Sequence, residues 1–151
     1  MYEEIIKTIV KNTNIYIQGE KYTVLSKAFY TTEEDQDVSY VKCKLDKNKV
    51  LVIIPNDELV YIGELNNNLI YKILDDANIL LEGIKYTKVA TGYQLVKNIE
   101  FGDDKDIEKE CEFSDYEAED GNTIISFAIL KNNSEKADII AKIISITDIL
   151  L

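Results

Sequence analysis

Carboxylates are the side chains of this sequence best placed to do chemistry. Residues 100–120 hold Glu100, Asp103, Asp104, Asp106, Glu108, Glu110, Glu112, Asp115, Glu117, Glu119 and Asp120, against only Lys105 and Lys109. A second run, Glu33, Glu34, Asp35 and Asp37, contains no Lys. Acids at this density can ligate Ca²⁺ or Mg²⁺, act as a general acid and base, or dock a cationic surface. An EF-hand read from Asp115 fails on spacing. Its sixth position is Asp120 where Gly must turn the loop, and its twelfth is Ser126 where a bidentate Glu is required. Loose oxygen-ligand binding is all that survives of that use. Paired-carboxylate hydrolysis needs two acids about 5 to 10 Å apart in a cleft. Alternate carboxylates over 111–117 share one strand face, which does not by itself make a cleft.

Other chemistries are removed by absence. The chain has no His, no Arg and no Trp, and all 17 basic residues are Lys. Without imidazole there is no Ser/His/Asp or Cys/His nucleophile system, and without guanidinium there is no fork for phosphate or guanine. The net charge of −11 repels nucleic acid and anionic lipid. Cys43 and Cys111 form no CxxC, and both fall on the apolar phase of their segments, so they read as buried structural thiols. The glycines are isolated and spell no phosphate loop. The ten Tyr lack basic neighbours for stacking on bases and read as strand and core residues.

The two acidic runs remain. Their plainer reading is a pair of solvated loops that keep sheet edges soluble. The sharper one is a docking surface for a basic protein partner through Glu33, Glu34, Asp35, Asp37, Asp103, Asp104, Asp106 and Glu108. No cofactor, metal or nucleic acid is called for. An acidic inhibitor such as an immunity protein or nucleic-acid mimic is the alternative, with a weak divalent-cation or small-ligand enzyme as a third. A mimic requires its charge on one continuous face, and an enzyme requires convergent acids in a pocket.

The elements that carry these residues are mostly strands. Val41, Cys43 and Leu45 alternate with Lys42 and Lys44, the period of 2 of a half-buried strand. Cys111 and Phe113 face inward by the same rule, with Glu110, Glu112 and Ser114 toward water. Turns are expected at Asp46-Lys47-Asn48, Pro55-Asn56-Asp57, Asp120-Gly121-Asn122 and Asn132-Asn133-Ser134. Tyr2, Ile5, Ile6 and Ile9 make one stripe of an amphipathic helix ending near Asn12. Residues 66–78 fit either strand or short helix. The six Ile after Asp138 favour strand over helix.

An internal repeat organises the whole. Ile15-Tyr-Ile-Gln-Gly19-Glu-Lys21-Tyr22-Thr23 matches Ile79-Leu-Leu-Glu-Gly83-Ile-Lys85-Tyr86-Thr87. Further on, Cys43 corresponds to Cys111, Val50–Ile54 to Ile124–Ala128, and Leu59–Ile62 to Ile139–Ile143. This predicts a mainly β protein of two tandem, related β-meander modules, as a sandwich or paired half-barrels. A helix at 1–14 precedes a first module at 15–65, a connector at 66–78 and a second module at 79–151. The acidic start Met1-Tyr2-Glu3-Glu4 lacks the basic and apolar regions of a secretory signal, and no apolar run spans a bilayer. A cytoplasmic protein without membrane insertion is expected.

The segments Gly19-x-x-Tyr22-x-Val24, Tyr40-x-x-x-x-Leu45 with Val50-Leu51-Val52, Gly83-x-x-Tyr86, and Asp115-Tyr116-Glu117 followed by Gly121 and Ile124-Ile125-Ser126 together resemble the bacterial domain-of-unknown-function family 4178 over residues 15–150. The chain has Phe127-Ala128-Ile129 where that family often shows Glu-x-Trp. The resemblance implies a mainly β domain with no assigned catalytic residues, from a bacterial setting near membrane-stress proteins.

Overall fold

The computed structural model describes all 151 residues. Helix α1 (Tyr2–Thr8) is followed by a hairpin of β1 (Asn14–Ile17) and β2 (Glu20–Thr23). A four-stranded meander comes next: β3 (Lys27–Thr32), β4 (Tyr40–Lys44), β5 (Lys49–Ile54) and β6 (Leu59–Leu65). A second hairpin, β7 (Lys72–Ile73) and β8 (Asn78–Leu81), leads to a second meander. This consists of β9 (Ile84–Phe101), β10 (Cys111–Ala118), β11 (Thr123–Leu130) and β12 (Ile139–Ile144); β13 (Ile149–Leu150) ends the chain. No helix is long and apolar enough to cross a membrane.

The two meanders do not form a sandwich or two half-barrels. They join along β6·β12 and β3·β9, so β3 to β6 and β9 to β12 close into one antiparallel eight-stranded barrel. The 18 residues of β9 make closure possible. Its start pairs with β8, its middle with β10 and its end with β3. Register irregularities opposite Asp115 and along β3 supply the bend that a small barrel requires.

Local chemistry explains the turns. Lys47 and Asn48 both take positive φ (59° and 61°), the two-residue turn whose twist matches its flanking strands. Gln18-Gly19 (50°, 83°) and Glu82-Gly83 (50°, 79°) repeat one turn geometry in the two hairpins that the sequence matched. Pro55–Asp57 forms a short 3-10 helix rather than a simple turn. Past β12, Ser145 caps another over Ile146–Asp148, its Oγ accepting from the Thr147 N–H while Asp148 accepts from the Ser145 N–H. That reversal aims β13 at β1, where it completes a three-stranded sheet. The Ile-rich end is therefore strand, then turn, then strand. The connector at 66–78 contributes β7 and the first residue of β8.

The main hydrophobic core lies outside the barrel. Val41, Cys43, Leu45, Leu51, Ile53, Val60 and Ile144 project outward from β4, β5, β6 and their flanks, and α1 with the three-stranded sheet covers them. The expected stripe of α1 is used, with Ile6 and Ile9 buried there and Tyr2 and Ile5 packed against them. The helix stops at Thr8, short of Asn12, with Ile9 already extended. Lys27, 1% exposed, fixes that end. Its ammonium donates to the carbonyls of Ile6 and Ile9 (3.0 Å to the latter) and pairs with Glu100 at 2.6 Å. A smaller outer cluster forms where Ile79, Leu81 and Tyr86 pack on Ile125 and Ala118.

Candidate functional site in the barrel lumen

The opposite phase of the same strands faces the lumen. Lys42 and Lys44, expected on a solvent face, point there with Val50, Val52 and Tyr61, and the side chains they meet come from strands that are not neighbours in the sheet. Tyr40 on β4 donates from its hydroxyl to Gln94 Oε1 on β9 at 2.9 Å, reaching past β3. The lumen is only partly filled. One cavity of about 400 Å³ opens at the lower mouth, where β3 begins, and another of about 180 Å³ lies toward the upper mouth, where β3 ends. Lys42 and Glu108 line both cavities and stand between them.

That pair is the centre of the polar cluster. Lys42 Nζ and Glu108 Oε2 are 2.7 Å apart, with side chains 10% and 15% exposed. The ammonium also lies 5.6 Å from the Tyr30 ring centroid and 5.9 Å from that of Tyr40, within cation–π range. Glu108 arrives on a segment threaded into the barrel. Ser26 Oγ donates to the Asp106 carbonyl and Tyr30 to that of Glu108, each at 2.8 Å, while Gln94 Nε2 donates to that of Lys109 at 3.2 Å. Ile107 is buried against Ala28 and Tyr30. Residues 106–110 thus form an inner plug, while 103–105 stay solvated as expected of so acidic a run.

Asp115 stands on the upper side. It faces Ser126 across the β10–β11 pair, and its Oδ1 is closed off from solvent without a hydrogen-bond partner. Burial raises its pKa, an effect opposed by the Ser126 hydroxyl and by Lys42 and reinforced by Glu108. Burial likewise pushes up the Tyr30, Tyr40 and Tyr61 phenols, with Glu108 adding to the first two and Asp115 to Tyr61. These phenols stay protonated and offer neutral hydroxyls.

The predicted docking residues divide. Glu33, Glu34, Asp35 and Asp37 are exposed on the β3–β4 loop at the upper mouth, where the Glu34 carboxylate accepts from the Tyr93 N–H. Asp103 and Asp104 are exposed at the lower mouth, and the Asp104 side chain (96% exposed) pairs with Lys109 at 3.4 Å. Asp106 is half-buried and Glu108 is inside the lumen. Along β3, at roughly 3.3 Å per residue, the two runs lie about 20 Å apart. The two runs therefore sit at opposite mouths of the barrel.

Sequence reasoning missed Lys42, Tyr40, Tyr61, Gln94, Asp115 and Ser126 as a group. One signal was present: the alternation that turned Cys111 and Phe113 inward, carried two residues further, puts Asp115 inside with them. Both cysteines are buried, as expected, but they lie on opposite sides of the wall. Cys43 belongs to the outer core, whereas Cys111 Sγ lies 3.9 Å from Glu108 Oε1. Their matched positions are therefore out of phase, while β5 with β11 and β6 with β12 keep phase. Burial pushes both thiols up to about 12, helped at Cys111 by Glu108, so neither is a nucleophile near neutral pH.

Comparison with known families, curated proteins and solved structures finds no match to this chain. The resemblance to family 4178 gains no support, and the lumen has to be read from its own chemistry.

Proposed function

We propose that the protein is a non-enzymatic binding module that holds a small molecule in its barrel lumen. One observation carries this reading: the closed barrel keeps two cavities around a polar cluster, while its largest apolar cluster is packed outside the wall and only smaller ones share the lumen. A barrel of eight strands is small enough for side chains to fill or to enclose a single small ligand. Binding is favoured over catalysis because the lumen presents neutral phenols, a thiol held near 12 and a lysine already engaged by Glu108. The test is an NMR titration of the full chain with neutral, anionic and cationic fragments. Shifts concentrated on Tyr61, Ser126, Ala137 and Ile139 are expected. If no fragment moves lumen residues beyond the outer core, the reading fails.

Docking of a basic protein partner is a second reading, supported by Glu33, Glu34, Asp35, Asp37 and Asp103 being exposed and free of ion pairs. On this fold such a partner would cover one mouth of the barrel. Duplication of an ancestral hairpin-plus-meander unit is supported by the shared Gln18-Gly19 and Glu82-Gly83 turn and by the strand order of the two halves.

A further inference from the structure

We infer that the upper cavity is a site for a small primary ammonium compound, with its charged head on Asp115 and its apolar body against Tyr40, Tyr61 and Phe113. The inference rests on the lumen-binding reading and narrows its chemistry.

The charge inventory selects the sign of the ligand. Four ionisable side chains other than tyrosine line this cavity: Lys42, Glu108, Asp57 and Asp115. Lys42 and Glu108 neutralise each other at 2.7 Å. Neither Asp57 nor Asp115 forms a salt bridge; Lys42 acts on Asp115 only at longer range, with its ammonium held on Glu108. An unpaired carboxylate oxygen withdrawn from water is costly, and an N–H donor carrying positive charge is the group that relieves it best. An anion would be repelled by both acids. A neutral alcohol would supply a hydrogen bond without the charge.

Shape and approach agree with that choice. The cavity is small, about 180 Å³, below the range of drug-sized pockets, so it suits a head group with one ring or a short alkyl chain. The side chains of Tyr40, Tyr61 and Phe113 supply apolar wall. Asp57 lies on the rim, and the loop bearing Glu33, Glu34, Asp35 and Asp37 adjoins it through Val38 and Thr32, both of which line the cavity. The acidic run that sequence reading assigned to a protein partner here concentrates cations at the mouth.

The experiment compares three probes of one shape and different charge on the full chain: benzylamine, benzyl alcohol and benzoate, by NMR titration at pH 7.5 and low salt. Benzylamine is expected to bind roughly ten- to hundredfold more tightly than benzyl alcohol, the worth of a charge-assisted hydrogen bond, with benzoate weakest. Asp115→Asn is expected to abolish the preference, so that benzylamine binds the variant no more tightly than benzyl alcohol does. This variant removes an uncompensated charge, so its fold is retained, and the wild-type comparison needs no variant. Benzyl alcohol binding in the lumen as tightly as benzylamine, or benzylamine binding undiminished in Asp115→Asn, overturns the cation site and leaves lumen binding standing. Silence of the lumen residues toward all three probes and toward the wider fragment panel overturns both.

Discussion

Lys42 and Cys43 are neighbours on β4, yet they live in different media. Cys43 is sealed among the fifteen buried side chains of the outer core, packed beneath α1 and the three-stranded sheet. Lys42 turns the other way, into a lumen with two cavities, where it meets Glu108. One wall thus separates a filled apolar layer from an interior in which a polar cluster, smaller apolar clusters and two cavities share the space. The comparison teaches where stability and function reside. Area removed from water is concentrated outside the barrel, and the lumen keeps groups that a structure optimised only for stability would exclude.

The largest expected effect tests the outer layer. Leu51→Ala should cost about 2–5 kcal/mol in urea denaturation, because its close-packed surroundings collapse little. Ile139→Ala, beside the lower cavity, should cost less, since one side already borders empty space. Equal losses would erase the distinction between the two faces.

Next comes the ion pair. Lys42→Met leaves Glu108 charged and alone inside the barrel, and should cost about 3 kcal/mol. Adding Glu108→Gln should restore most of that loss, because the expense lies in the orphaned charge. A double variant as unstable as the single one would show that the pair holds the plug at 106–110 in place.

Asp115 sharpens the contrast through pH. Burial raises its folded pKa above its unfolded value, so the native state binds the proton more tightly. Stability is then greatest where both states are protonated, falls as pH rises from the unfolded value through the folded one, and stays at the lower level above it. Glu108, Lys42, Tyr40, Tyr61 and Asp57 line the same cavity as the group. Asp115→Asn should remove that slope and raise the Tm near neutral pH by a few degrees, as read by thermal melts across pH. An unchanged slope would place the titration elsewhere.

The smallest effect belongs to the upper loop. Glu33→Gln with Asp37→Asn should alter stability by no more than about 0.5 kcal/mol, both side chains being exposed. The same change should weaken the salt dependence of benzylamine association, since steering acts at a distance through water.

Much of the fold was legible in the residues. The helix stripe at Tyr2, Ile5, Ile6 and Ile9, the alternation of Val41, Cys43 and Leu45 with Lys42 and Lys44, and the turn at Asp46-Lys47-Asn48 all follow from local periodicity and turn chemistry. The site was less legible. Glu108 reads as one acid in a long run, and nothing nearby in sequence reveals that Lys42, 66 residues away, neutralises it. Asp115 was within reach of the strand period, but its isolation depends on which cations are spent elsewhere.

By itself the sequence determined the β character, the elements and which residues share a strand face, because alternation and turn preference act over a few residues. It also excluded imidazole and guanidinium chemistry outright. Only the tertiary structure decided that the two meanders close on each other, and so which face of each strand is inside. Lysines suit open water as well as a lumen lined with carboxylates, so the Lys42 face carried no label until β3 met β9 and β6 met β12. Closure is a long-range pairing set by register and bend, and it turned the Lys42 face into the inside of a chamber that holds polar and apolar side chains together.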